Sequence, residues 1–323
     1  MGILVDGTWK TEAEYANGEG EFERQPSRFR AWVEDRKDAD FPLEPDRYHL
    51  YVSYACPWAH RVLIVRALKG LQEVLPVTVV DPWMGDDGWF FSERLGCEPD
   101  PNLGAQYLRE LYVAAEPMCS GRVTVPLLWD KRARRIVNNE SRDLIKMLDR
   151  VFSRLATRPC VLWPESSDQA IGEMIDQNYG PVNNGVYRAG FASTQAAYEA
   201  AVQALFARLG ECERSLGQRP FLCGEVATAA DVCLFTTLLR FEPVYHYHFK
   251  CNLYPLRAFP RLWEFTRALY QVPEIRATCR LDHVKLHYFT SHKHINPTGI
   301  VPSGPVLDLD APVQPRLSRP FAR

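Results

Sequence analysis

Nowhere in the 323 residues is there a run of 18 apolar side chains, so no membrane-spanning helix is expected. Strong charge of either sign is missing too. Lys and Arg total 38 against 40 Asp and Glu, a formal charge of −2, so neither nucleic acid nor an acidic membrane is an expected partner. The opening residues lack an apolar signal core, and Asp6 stands where an N-myristoylation motif after Gly2 needs Ser or Thr. The nine cysteines are odd in number and have none of the close regular spacing of a disulfide scaffold. That pattern points to thiols in a reducing cytoplasm.

What is present is ample apolar material. At 46% hydrophobic residues the chain can bury the cores of two domains. Eight Trp and fourteen Tyr exceed what packing needs, which leaves aromatics to line a pocket for a flat substrate. Residues 1–45 are polar and without periodicity and read as an extended arm. A β-prone run over 48–53 leads through a Pro-interrupted turn into a helix from Pro57 to Lys69, with Ala59, Val62, Leu63 and Ala67 as its apolar stripe and Gly70 as its stop. A second strand over 74–80 then calls for a parallel pair with a helical crossover. Residues 82–120 look like an insertion with a helix over 104–115. A hairpin pattern follows over 124–129 and 136–137, then an amphipathic helix over 140–155. Beyond Pro159 the pattern turns helical over 167–178, 194–216, 228–241 and 259–272, with Thr228 and Asp231 placed as a capping box. The boundaries expected are an arm over 1–45, an α/β domain over 46–156, an all-helical domain over 166–295 and a Pro-rich tail over 296–323.

The chemistry centres on Cys56. Pro57 suits the first helical position, so the thiol lies at the positive end of the helix dipole, where unpaired amides favour the thiolate. A buried structural cysteine is the competing reading. Three residues on, where a dithiol motif has its resolving cysteine, the chain has Ala59. A reactive Cys56 therefore needs an external thiol, and glutathione is the abundant cytosolic one. Val125-Pro126 lies between β-prone segments, either as an ordinary trans edge proline or as the cis proline that presents backbone to a bound peptide. Glu140-Ser141 opens a helix, and a helix start with a hydroxyl and an acid suits a γ-glutamyl group, although a plain capping sequence looks the same.

Cys56-Pro-Trp-Ala-His-Arg61, Gly88-Trp-Phe-Phe91, Thr124-Val-Pro126, Val137-Asn-Asn-Glu-Ser141, Asn183-Asn-Gly-Val-Tyr-Arg-Ala-Gly-Phe191, Phe249-Lys-Cys-Asn252, His287-Tyr-Phe289, Asn296-Pro297 and Ile300-Val-Pro302 together resemble the glutathionyl-hydroquinone reductases, the Xi class of glutathione transferases. The resemblance spans roughly residues 45–305. It implies an α/β thioredoxin-like N-terminal domain, an all-α glutathione-transferase-type C-terminal domain, and a homodimer. It also implies that Trp89, Arg122, Val125, Glu140 and Ser141 hold glutathione over Cys56, with Tyr187, Tyr245 and Tyr288 on the side of a glutathionylated aromatic substrate. Tyr187 is expected in a loop after the Pro181–Gly185 break and Tyr288 in a polar, His-rich segment. The implied reaction is reductive removal of glutathione from a glutathionyl-hydroquinone through a Cys56 mixed disulfide, with glutathione as reductant and no metal or organic prosthetic group. Three alternatives share the residues: conventional conjugation of glutathione, an omega-like thiol transferase acting on dehydroascorbate or protein mixed disulfides, and a non-catalytic binding module. His283, His287, His292 and His294 have partly helical spacing, but no Cys or carboxylate set completes a metal site.

Overall fold

The computed structural model describes residues 2–11 and 16–321. The chain divides into two compact units, one built from Met1–Ala13, Gln25–Pro159 and Asp282–Lys293, the other from Glu14–Arg24, Cys160–Leu281 and His294–Arg323.

The first unit opens with a hairpin, β1 (Ile3–Val5) and β2 (Thr8–Lys10). Asp6 and Gly7 turn it with φ of 46° and 75°, the paired positive values that Asp-Gly supplies in a two-residue turn. The residues expected as a featureless arm thus begin with a strand pair, because that turn signal sits inside a charge-rich stretch. Further on, Ala31 N donates to the Val137 carbonyl (3.1 Å) and Asn139 N to that of Phe29 (3.0 Å).

The central sheet has four strands: β3 (Tyr48–Val52), β4 (Val77–Val79), β5 (Leu127–Asp130) and β6 (Arg135–Asn138), in the order β4-β3-β5-β6. β3 and β4 are parallel, joined by α1 (Pro57–Leu68), while β5 runs antiparallel to both β3 and β6. All five residues of β3 are buried, so both faces of the sheet are covered and the strand needs no polar alternation. α1 ends where Gly70 takes φ +65°. It packs with α3 (Ser141–Arg150). The pairing includes a buried ion pair, Lys69 Nζ to Asp149 Oδ1 at 3.0 Å. Phe29–Ala31 bonds along β6, covering what is otherwise an open sheet edge.

Within the stretch read as an insertion, α2 starts at Leu108 and runs to Ala115, four residues later than the pattern suggests. Asp100 explains the delay: its Oδ2 accepts from the amides of Leu103 (2.9 Å) and Ala105 (3.1 Å), holding the segment in a loop.

The second unit carries α4 (Asp168–Asn178), α5 (Gly185–Gly190), α6 (Gln195–Gln218), α7 (Ala229–Arg240), α8 (Pro260–Tyr270) and the single turn α9 (Pro273–Arg276). The capping box at Thr228 and Asp231 is formed, and burial pushes the Asp231 carboxyl up to about 6 despite the amides it accepts from. Tyr187, expected in a loop, sits instead in α5. The break before it is a wide turn, pinned by the Asn183 amide on the Cys233 carbonyl (3.0 Å) and Thr237 Oγ1 (2.8 Å), and the chain re-enters helix directly. The Pro-rich tail is extended and docked: Gln271 Nε2 donates to the Leu309 and Ala311 carbonyls, both at 2.8 Å, and Leu309 and Leu317 are buried.

A final helix, α10 (Leu281–Ser291), returns to the first unit. The boundaries expected from the sequence include this stretch in the helical domain over 166–295, although periodicity does not mark it as a helix. Three bonds attach it elsewhere: His283 Nε2 to the Leu95 carbonyl (2.9 Å), His287 Nδ1 to that of Pro82 (2.8 Å), and Met84 N to Ser291 Oγ (2.9 Å).

Candidate active site

Cys56 is the N-cap of α1, half-buried, with extended backbone (φ −76°, ψ 121°) and its carbonyl accepting from His60 N at 3.0 Å. Pro57 occupies the first helical position and the first turn of α1 holds no acid, so the sulfur lies at the positive end of a dipole that α1 itself does not offset. Ala59 is fully buried in the helix. Cys56 Sγ lies 3.5 Å from the Val125 carbonyl oxygen. The Val125-Pro126 bond is cis, the alternative that presents backbone at this point.

One hydroxyl fixes the two segments that flank this point. Tyr112 Oη donates to the Thr124 carbonyl (2.8 Å) and accepts from Thr124 N (3.1 Å) and from the Asn139 amide (3.2 Å). Burial pushes the Tyr112 phenol upward, so it keeps the proton that its donor role needs. Thr124 precedes Val125 and Asn139 precedes Glu140. The Tyr112 ring is therefore a common support for both.

Glu140 caps α3. Its Oε1 accepts from Arg142 N (3.0 Å) and lies 3.4 Å from Ser141 Oγ, while its Oε2 accepts from Ser27 Oγ (2.8 Å). Arg61, buried in α1 with its guanidinium carbon 4.3 Å from the Trp58 ring centre, reaches Ser141 Oγ at 3.4 Å. These bonds join the helix that begins at Cys56 to the helix that begins at Ser141. Arg122 donates to the Gly2 carbonyl at 3.3 Å and lines a cavity of about 240 Å³ together with Ser27, Tyr112, Thr124 and Asn139.

Trp89 is buried and stacks on His287 with ring centres 4.8 Å apart and planes at 19°. Since a carbonyl only accepts, His287 Nδ1 carries the proton given to Pro82. Tyr288, next in α10, is buried against His292 (5.5 Å). In the second unit Tyr187 and Tyr245 are 6.0 Å apart in an aromatic cluster with Phe191 and Phe249, and Tyr245 stacks on Phe249 at 5.5 Å. The Arg24 guanidinium carbon lies 4.9 Å from the Tyr187 ring centre, and its Nε donates to Asn184 at 2.8 Å.

The predicted residues thus fall into groups. Cys56 meets Val125 at 3.5 Å and Glu140 meets Ser141 at 3.4 Å in the first unit, which also holds Arg122, Trp89 and Tyr288; Tyr187 and Tyr245 belong to the second. Tyr112, Ser27 and His287 were missed as partners of these groups. Each acts through a contact more than 100 residues away in sequence or through a lone hydroxyl, and neither leaves a local pattern. Among the described residues no group of three His, Cys, Asp or Glu side chains is arranged to hold a metal ion.

Family models for the glutathione S-transferase N-terminal domain and C-terminal domain match residues 55–151 and 195–268. The chain is 45% identical to the glutathionyl-hydroquinone reductase YqjG of Escherichia coli over 97% of its own length and 98% of the relative's. Its fold matches the Xi class transferase of Natrialba magadii with a TM-score of 0.93 at 48% identity, covering 99% and 97% of the two chains. It also matches the glutathione-bound structure of YqjG with a TM-score of 0.88 at 43% identity, covering 96% and 98%. With a thioredoxin-like half that starts its first helix at a lone cysteine, an all-helical half, and relatedness over nearly the whole length, the chain belongs to the glutathionyl-hydroquinone reductases, the Xi class of the glutathione transferases.

Proposed function

We propose that this chain removes glutathione from glutathionyl-hydroquinones. The Cys56 thiolate attacks the glutathionyl sulfur and the carbon–sulfur bond breaks. Its electron pair passes to the ring carbon, which takes up a proton, leaving hydroquinone and a Cys56–glutathione disulfide. A second glutathione thiolate attacks that disulfide, so oxidised glutathione departs and the Cys56 thiolate returns. Glutathione is the reductant and the co-substrate. Tyr187 and Tyr288 are assigned the ring oxygens, where a phenolic hydrogen bond favours the keto form whose carbon–sulfur bond is weaker; Tyr245 lines the same side. Trp89, Arg122, Val125, Glu140 and Ser141 are assigned to glutathione, with Glu140 receiving the γ-glutamyl ammonium and Arg122 the glycyl carboxylate.

The observation that carries this reading is Cys56 at a helix start whose first turn holds no acid, with Ala59 in the resolving position. A thiol there forms a mixed disulfide and cannot close an internal one, which suits dethiolation and not simple conjugation. The reading places the chain in the cytoplasm, a compartment that keeps thiols reduced, in keeping with its nine free cysteines. A homodimer, like that of the family, is part of the reading and is checked by light scattering. Cys56→Ser should leave the fold intact and abolish release of hydroquinone from a glutathionyl-hydroquinone, together with the 305-Da adduct that mass spectrometry detects on the wild type, an approximate mass set by one glutathione per thiol. Retained turnover in that variant defeats the proposal.

A further inference from the structure

The Glu140 carboxylate is held at both oxygens by donors from different parts of the chain. Oε1 takes the amide of Arg142 at 3.0 Å, an ordinary capping bond within α3, and the Ser141 hydroxyl at 3.4 Å. Oε2 takes the hydroxyl of Ser27 at 2.8 Å, from a residue 113 positions earlier. The Asn139 carbonyl, at 3.3 Å, is the other acceptor within reach of that hydroxyl. A hydroxyl has one proton to give, and the shorter bond to the charged acceptor takes it.

Capping does not need the second bond, since Arg142 N already satisfies the helix end. Nor is Ser27 there by the chance reach of a loose segment. Two residues on, Phe29 N donates to Asn139 Oδ1 (3.1 Å) and the Phe29 carbonyl accepts from Asn139 N (3.0 Å); Ala31 N then bonds the Val137 carbonyl (3.1 Å). The strand-like pairing along the sheet edge sets where Ser27 falls, and Asn139 immediately precedes Glu140. A carboxylate with one oxygen bonded still turns about its terminal torsion. With both bonded its plane is fixed, and Oε2, which has Ser27 as its one donor, keeps a further lone pair for a cation.

We propose that Ser27 is a positioning residue for glutathione: its hydroxyl fixes the plane of the Glu140 carboxylate so that the remaining lone pair of Oε2 meets the γ-glutamyl ammonium. This rests on the assignment of Glu140 to that ammonium. Ser27 acts through Glu140 and touches no reacting atom.

The test is calorimetric binding of two redox-inert probes, S-methylglutathione and its des-amino analogue, in which a glutaryl group replaces γ-glutamyl. Ser27→Ala should bind S-methylglutathione about fivefold to tenfold more weakly, the size of one lost hydrogen bond to a charged partner acting at second hand. It should bind the des-amino probe as the wild type does, because there is no ammonium to position. In a Glu140→Gln background the Ser27→Ala change should have no further effect. Equal weakening toward both probes would mean that Ser27 only shapes the segment, and unchanged binding of S-methylglutathione would mean that Arg142 alone orients the carboxylate; either overturns the proposal. Should Glu140→Gln itself bind both probes as the wild type does, the fault lies in the assignment of Glu140 to the ammonium.

Discussion

His49 should set part of the acid limit of this fold. It lies on β3, opposite Trp129 of β5, 4% exposed, with Nε2 2.8 Å from Thr78 Oγ1 and its ring 4.8 Å from that of Tyr51. Burial, with a smaller push from Lys131, lowers its pKa from 6.5 to about 4. Between those values the unfolded chain binds a proton that the native state does not. The contribution of a neutral His49 is therefore complete above pH 6.5 and is lost as pH falls toward 4. The whole loss is about 3 kcal/mol, of which about 2.5 kcal/mol is gone by about pH 4.5. His49→Gln keeps an amide to bond Thr78 and cannot titrate. Urea denaturation followed by circular dichroism at about pH 7.5 and about pH 4.5 should show the variant about 1 kcal/mol weaker at the higher pH and losing about 2.5 kcal/mol less than the wild type on acidification. Histidine ring-proton NMR gives the site directly, through the resonance missing in the variant. If that resonance titrates near 6.5, or if both proteins lose the same stability in acid, burial does not depress His49 and the reasoning is refuted.

The Lys69–Asp149 pair, each side chain 2% exposed, gives a sharper loss at neutral pH. Lys69→Met removes the ammonium from a buried carboxylate and should cost about 3–5 kcal/mol, whereas Lys69→Met with Asp149→Leu should recover most of it; equal losses in chemical denaturation would show the pair to be immaterial. Ala31→Pro deletes the donor to the Val137 carbonyl and should speed hydrogen exchange at the Asn139 amide, which pairs with Phe29 in the same ladder; unaltered protection there would contradict the edge pairing. Tyr187→Phe should slow dethiolation of a glutathionyl-hydroquinone about 10- to 100-fold while the Cys56 disulfide still forms from oxidised glutathione, as read by mass spectrometry. Loss of both activities together would point to damage to the cluster and not to a missing hydroxyl.

Sequence patterns found the elements whose cause is local. Pro57 after Cys56 starts α1 and Gly70 stops it, and Thr228 with Asp231 opens α7, because each depends on residues within one turn of the helix end. They misplaced elements governed at a distance. α2 begins late because Asp100 holds the amides ahead of it, and α10 joins the first unit because His283 and His287 bond carbonyls about 190 and 205 residues earlier. The hairpin over residues 3–10 was missed for a different reason. Three-residue strands are too short to show a period, so only the Asp6-Gly7 turn betrays them. The candidate site divides the same way. Cys56 and the cap at Glu140 are legible from their neighbours, whereas the Tyr112 support and the Trp89–His287 stack exist only once the chain is folded.

Placement of the thiols sets Cys56 apart from five of the other eight cysteines. Burial pushes the Cys212 thiol up to about 11 and Cys279 to about 12, and raises Cys251, Cys119 and Cys223 as well, so these stay protonated and unreactive at neutral pH. Cys56 is instead half-exposed at the start of a helix whose first turn holds no acid. Ala59 then denies it an internal partner, and that has a consequence for binding. In a dithiol enzyme the resolving cysteine is always at hand, and affinity for an outside thiol matters little to turnover. Here the disulfide is released only by a glutathione from solution, and the glutathionyl group bonded to Cys56 must stay oriented until it arrives. On the proposed reaction the contacts at Val125, Glu140 and Ser141 therefore serve both half-reactions, first presenting the substrate's glutathionyl sulfur to Cys56 and then holding the same sulfur for in-line attack. Loosening the Glu140 carboxylate should accordingly weaken both steps and not binding alone.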